Sequence, residues 1–243
     1  MNIARSSVGN SFLDHLQDAD YGLLEPYLSE KMLDRDAVIH EPGDRVEVVY
    51  FPNGAVLSVI TLMEDGRSVE SSTIGRESAE GMLAAFGSQL AYNRVICQIR
   101  GHCFTMPTVR LKEAAAKSMA LTDDLMRHIQ GNTAQVEQSV ACNALHNVEE
   151  RLCRWILMSA DRGDGKIVGL TQEYLAIMLG VQRTTVTQAA RALQAAGLIN
   201  YARGAIEIVN RKGLEETVCE CYGVVNNKFS TLVGREQPRR LAV

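Results

Sequence analysis

The side chains with the clearest chemistry in this sequence of 243 residues are polar and basic, and they cluster between residues 183 and 203. We expect Arg183 to donate two hydrogen bonds to guanine and Gln188 to pair with adenine. A threonine methyl group can contact the methyl group of thymine, while Arg191 and Arg203 carry the charge that phosphates attract. These residue types predict contacts with double-stranded DNA. The candidate DNA-binding residues are Arg183, Thr184, Thr187, Gln188, Arg191 and Arg203.

A winged helix-turn-helix over Gly169 to Asn210 would position these side chains. Thr171 is a typical N-cap for a first helix, and Gly180 allows the tight turn that follows it. The second helix, Arg183 to Ala196, has apolar residues on one face and the candidate DNA-binding residues on the other. Two short strands then form a hairpin, and Arg203 lies at its tip, which is the wing.

The earlier part of the chain changes from a β pattern to a helical pattern. Residues Phe12 to Leu33 predict an amphipathic helix, and Val38 to Cys103 contains short β-rich runs separated by turns such as Asp65-Gly66. Short strands at regular spacing are typical of a sandwich or a jelly-roll barrel. After Pro107 the pattern becomes helical, and a second helix is predicted from Val148 to Ala160.

The longest predicted helix runs from Leu111 to Leu145. It would be about 50 Å long, and a helix of that length with a narrow apolar seam usually packs along a partner. We therefore predict that it pairs two copies of the chain, and the alternative is that it packs on its own domain. The seam consists of Leu125, Ile129, Val136 and Val140.

These patterns together predict an α+β protein in three parts. Residues 1–110 form an N-terminal β jelly-roll domain, residues 111–146 form a dimerisation helix, and residues 147–243 form a C-terminal winged helix-turn-helix domain.

Charge and composition agree with this division. The chain has a net charge of −4. Residues 166–243 contain ten basic and six acidic residues, so the C-terminal part is basic and the rest of the chain is acidic. A basic end of this kind is suited to a polyanion. The sequence contains neither a secretory signal pattern nor an apolar run long enough to cross a bilayer, so a cytoplasmic protein without membrane contact is expected.

The whole chain resembles the Crp/Fnr family of regulators. The resemblance is strongest from Leu170 to Val181, which reads LTQEYLAIMLGV, then at Arg183 and Val186, and again at Gly197-Leu198-Ile199. It implies a domain like a cyclic-nucleotide-binding jelly roll, a homodimer on a palindromic operator, and RNA polymerase as a further partner. The family's usual Glu and second Arg in the recognition helix are Thr184 and Gln188 here, so a different operator is expected.

The resemblance also defines a candidate effector pocket, and this chain departs from the family there. Family members that bind cyclic AMP have a Gly-Glu pair and an Arg followed by Ser or Thr. Here Gly81 follows Glu80, and Val95 follows Arg94. The helix positions that offer hydroxyl groups to adenine align with Val136 and Glu137. We therefore expect the effector to be absent or to be something other than a cyclic nucleotide.

The six cysteines leave one further hypothesis open. None of them precedes Cys97, which argues against the family's iron–sulfur cluster. Cys219 and Cys221 are a candidate redox pair, with Cys142 and Cys153 as further partners, but residues two apart do not share a helix face. His102 and His146 have ring nitrogens that can bind haem iron or another metal, and structural roles are favoured for both. The expectation is therefore that there is no metal site.

No catalytic motif is present, so we expect neither an enzyme nor a cofactor. Three alternatives stay open to a regulator whose effector is absent or is not a cyclic nucleotide. They are a regulator that responds to cyclic nucleotides, a regulator that responds to thiol oxidation, and a ligand-binding or partner-binding module that no longer reads DNA.

Overall fold

The computed structural model describes residues 8–232 except 164, 166 and 203. The chain begins with two short helices, α1 (Ser11–His15) and α2 (Asp18–Leu24), followed by a 3-10 turn (Glu25–Tyr27). The prediction of one helix over Phe12 to Leu33 was therefore wrong. Leu16 has extended backbone angles that end α1, and the chain is already a β-strand from Ser29.

Among the described residues, the N-terminal β domain has seven strands, which lie in two antiparallel sheets with the orders β1-β7-β3 and β2-β6-β4-β5. Apolar side chains from both sheets, such as Leu33, Leu57 and Cys103, form a shared core. This arrangement confirms the predicted β domain. The strands are β1 (Ser29–Leu33), β2 (Val38–His40), β3 (Val48–Asn53), β4 (Val56–Leu62), β5 (Ser68–Ile74), β6 (Arg94–Ile99) and β7 (Gly101–Pro107).

Two helices, not one, follow the β domain: α3 (Thr108–Lys117) and α4 (Met119–Leu145). The prediction of a continuous helix from Leu111 was wrong because Ser118 has extended backbone angles and caps α4, its side chain accepting a hydrogen bond from the Leu121 amide. The break lets α3 pack under the β domain while α4 takes a new direction. With 27 residues, α4 is about 40 Å long.

The C-terminal domain begins at α5 (Val148–Arg162) and contains a three-stranded sheet with the order β8-β10-β9. Its core includes Trp155, Leu175 and Val186, all buried. The predicted helix-turn-helix and hairpin are present in the expected order. The remaining elements are β8 (Ile167–Val168), α6 (Gln172–Leu179), α7 (Arg183–Ala195), β9 (Ile199–Ala202), β10 (Ala205–Ile208), α8 (Arg211–Thr217) and α9 (Cys221–Leu232).

The C-terminal domain is docked on the rest of the chain. Helix α5 runs back along α4, where the buried Arg162 guanidinium contacts Gln135 of α4, Thr73 of β5 and Glu77, the last at 2.7 Å. Helix α6 lies against β5, and α9 packs on α4. At that contact Gly131 faces the ring of Phe229 so closely that a Cβ would lie 2.9 Å from it.

Candidate nucleic-acid interface

The helix-turn-helix follows from local signals at its ends. The Thr171 side chain accepts a hydrogen bond from the Tyr174 amide at 3.2 Å and so begins α6. Gly180 ends α6 with φ of 61° and ψ of 36°, a left-handed conformation that favours glycine. The turn then positions α7 across α6, and α7 buries Val186 and Leu193 against the domain core.

The opposite face of α7 holds the predicted DNA-binding side chains. Arg183, Thr184, Gln188 and Arg191 are exposed, and Thr187 is half-buried. The Thr187 hydroxyl donates to the Arg183 carbonyl at 2.9 Å, so its methyl group is the part left for contact with a base. The structure thus brings these five residues onto one surface, while Arg203 lies outside the described residues.

Arg183 forms an ion pair with Glu173 of α6, with 2.9 Å between Nη2 and Oε1. Both side chains are more than three-fifths exposed, and exposed pairs of this kind contribute little to stability. Arg183 can therefore exchange this carboxylate for a nucleic acid acceptor at small cost. Gly204 of the wing lies beside Thr171, so the wing and the beginning of α7 border the same shallow depression.

A separate cavity of about 270 Å³ lies between the β domain and α4. Glu80 and Val136 line it, as do Asn132 and Thr133, which the sequence did not assign to an effector pocket. Burial raises the pKa of Glu80 to about 7. Arg94 does not line the cavity; it pairs with Glu41 at 3.2 Å.

Glu137 is exposed and does not line the cavity either. Of the four residues predicted for an effector pocket, the structure therefore brings together Glu80 and Val136 only. His40 approaches Glu80 at 4.0 Å, and burial lowers the pKa of His40.

The cysteines are distributed differently from the prediction. Cys219 and Cys221 lie close to Cys142 and to His146, whereas Cys153 is buried in the core of the C-terminal domain. The structure therefore brings Cys142 to Cys219 and Cys221, as the sequence suggested, but not Cys153, and no spacing motif had joined His146 to them. His102 is far from this group and pairs with Glu30 at 2.9 Å on the surface of the β domain.

Across the described part of the chain, no helix has both the length and the apolarity that crossing a bilayer requires. Residues 150–217 match the family model of the Crp-like helix-turn-helix domain. No curated protein matches the chain by sequence.

Several solved structures have the same fold. FixK2 from Bradyrhizobium japonicum is 18% identical with a TM-score of 0.67, and the match covers 79% of this chain and 98% of that one. A transcriptional regulator of the CRP/FNR family from Thermus thermophilus is 19% identical, with a TM-score of 0.61 and coverage of 78% and 97%. The c-di-GMP responsive global regulator CLP of Xanthomonas campestris is 14% identical, with a TM-score of 0.64 and coverage of 80% and 100%.

Proposed function

We propose that this chain, which has a Crp-like helix-turn-helix domain in the fold of the Crp/Fnr regulators, is a sequence-specific transcription regulator that binds a palindromic operator as a homodimer. The observation that carries the proposal is the exposed polar face of α7 next to the wing. A recognition helix needs a free face of hydrogen-bonding side chains near its N-terminus, and Arg183, Thr184 and Gln188 provide one.

Helix α4 supports the homodimer. Its inner face is covered by its own chain, and Leu125, which the sequence placed in the dimer seam, belongs to that inner face and is fully buried. The outer face has residues at heptad spacing that are exposed or half-buried in the single chain. Val140 is 66% exposed and Met126 is 36% exposed, and together with their neighbours they form an apolar stripe that a partner could cover. The outer face consists of Met126, Ile129, Thr133, Val136 and Val140.

A second copy of the chain is the occupant that fits this face, because an isologous helix pair covers the same residues on both copies. The two-fold axis would then place the two α7 helices about 34 Å apart, one turn of DNA. This geometry predicts an operator with two inverted half-sites. RNA polymerase remains a predicted partner, and the cytoplasm is the expected location of a regulator of this kind.

The experiment is selection of an operator from random duplexes, followed by titration of the full chain at one fixed salt concentration. We expect Arg183→Ala to weaken binding to the selected operator by about 1–3 kcal/mol and to relax the preference at one base. Arg67→Ala removes an exposed arginine from the β4–β5 turn. It is the matched control and should leave the affinity for the selected operator unchanged. If no sequence is selected and all duplexes bind equally weakly, the result would favour a module that does not read DNA.

The lining of the cavity in the β domain favours an effector other than a cyclic nucleotide, or no effector. No lysine or arginine lines the cavity among the described residues, and Glu80 faces it. A cyclic phosphate there would lie beside an acid without a compensating cation, which costs several kcal/mol. We expect no saturable heat when cyclic AMP or cyclic GMP is titrated into the protein. Saturable binding that Arg94→Ala removes would support the cyclic-nucleotide alternative.

A further inference from the structure

Four side chains with metal-binding donors meet at the far end of α4. They are Cys142, His146, Cys219 and Cys221, and their ligand atoms all lie within 4.8 Å of one another. The Sγ atoms of Cys142 and Cys219 are 3.6 Å apart, and Cys221 Sγ is 3.5 Å from Nδ1 of His146. The three cysteines are buried and the histidine is partly buried.

The four side chains come from two parts of the chain, and the local structure holds both parts in place. Cys142 is in the last turn of α4, and the His146 amide caps that helix by donating to the Cys142 carbonyl at 3.1 Å. Cys219 and Cys221 lie at the junction of α8 and α9. Because α9 packs along α4, this junction is held against the end of α4.

We propose that these four side chains bind one zinc ion in tetrahedral geometry, through three thiolates and Nδ1 of His146. Zinc–sulfur bonds of about 2.3 Å place two sulfurs of a tetrahedral site about 3.8 Å apart, close to the distances in this group. A tetrahedral set of sulfur and nitrogen donors is typical of zinc or of an iron–sulfur cluster. The cysteines of a cluster bind different iron atoms and lie farther apart, so the compact group fits a single ion.

The surrounding residues have the arrangement that structural zinc sites use. Nε2 of His146 lies 3.1 Å from a carboxylate oxygen of Glu220. A carboxylate that accepts from one ring nitrogen leaves the other nitrogen free to bind metal. The amide of Gln138 donates to Cys221 Sγ at 3.1 Å, and this hydrogen bond favours the thiolate.

The charge of the surrounding residues also suits a zinc ion with these ligands. Zinc with three thiolates and a neutral imidazole has a net charge of −1, and two buried arginines lie nearby: Arg154, which donates to Ser139 one turn before Cys142, and Arg151. The Nε atoms of both arginines have no hydrogen-bond partner among the described residues.

Zinc at this position would join three segments: the end of α4, the connection to α5, and the beginning of α9. Its role would be structural, because four protein ligands leave no open position for a substrate. The bound ion would hold the C-terminal domain against α4. This role does not depend on whether α7 reads DNA.

The test uses the full chain, kept reduced, stripped with a chelator and titrated with Co²⁺ and then with Zn²⁺. We expect one Co²⁺ per chain with the intense visible bands of a tetrahedral thiolate site, and we expect Zn²⁺ to displace it. Cys142→Ser and Cys221→Ser should lose these bands, His146→Cys should keep them, and Cys153→Ala should match the wild type. Glu220→Gln, which removes the carboxylate that orients His146, should weaken zinc binding by about 10–100-fold.

The wild-type titration does not depend on the variants, so it tests for the zinc site even where a variant fails to fold. Binding of less than one tenth of an equivalent of metal by the reduced wild type would overturn the proposal. Equal uptake by Cys221→Ser would also overturn it, because the ion would then lie elsewhere. If metal-free protein takes up no zinc but forms a Cys142–Cys219 disulfide with oxidised glutathione, the group is a redox pair and not a zinc site.

Discussion

Glu70 allows a quantitative test of the energetics of the β domain. Its side chain in strand β5 is 1% exposed, and Oε2 accepts hydrogen bonds from Ser58 and from Gln98, the latter at 3.1 Å. Burial raises the pKa of Glu70 from its usual 4.5 to about 8, although the hydrogen bond from Ser58 and the charge of Arg162 partly oppose the rise. The folded protein therefore holds a proton on Glu70 at neutral pH.

The perturbation is Glu70→Gln, which keeps an acceptor oxygen but cannot ionise. Below pH 4.5 the carboxyl group is protonated in both the folded and the unfolded state and does not make stability depend on pH. Between pH 4.5 and about 8 only the folded state keeps the proton, so raising the pH favours unfolding. Between pH 5 and 7 the wild type loses about 2.5 kcal/mol of stability in this way, and the variant does not.

Urea unfolding followed by circular dichroism at pH 5 and pH 7 measures the difference. We expect the stability of Glu70→Gln relative to the wild type to rise by about 2.5 kcal/mol between these pH values. Glu64→Gln, at the exposed β4–β5 turn, controls for the loss of one negative charge and should follow the wild type. A difference between Glu70→Gln and the wild type that is the same at both pH values would refute the reasoning.

Three further predictions follow from α4, α7 and α5. Val140→Glu, on the outer face of α4, should convert the dimer to a monomer in sedimentation velocity, whereas the exposed Ala116→Glu on α3 should not; a dimeric Val140→Glu would place the interface elsewhere. Arg191→Ala should weaken binding to all duplexes alike and lower the slope of log affinity against log salt by about 1, and an unchanged slope would mean that Arg191 contacts no phosphate. Arg162→Met should destabilise the chain by about 3–5 kcal/mol in urea, because it leaves Glu77 without its buried partner, and a loss below about 1 kcal/mol would contradict that account.

The helix-turn-helix could be predicted from the sequence because its signals are local. Thr171 and Gly180 mark the two ends of α6 within a few residues, and the positive φ angle of Gly180 is the conformation that the tight turn implied. The alternation of short strands and turns was equally informative for the β domain. Each of these features depends on residues that are neighbours in the chain.

The break at Ser118 could not be predicted in the same way. Serine does not by itself end a helix, and the break follows from α3 packing under the β domain, which is a tertiary requirement. The inner position of Leu125 has the same origin, because only the packed structure decides which apolar stripe of α4 faces its own domain. His146 was missed as a member of the group around Cys142 because it lies 75 residues from Cys221 in the chain.

Helix α4 connects the separate proposals physically. Val136 lines the cavity in the β domain and belongs to the outer face, and Cys142 lies less than two turns further along the same helix. A ligand in the cavity or an ion at Cys142 would therefore act on the helix that we propose as the dimer contact. Either could change DNA affinity only by favouring one arrangement of α4 and the C-terminal domain over another. The contacts of Arg162 with Glu77, Thr73 and Gln135 hold the arrangement described above, so any other arrangement must give up these hydrogen bonds.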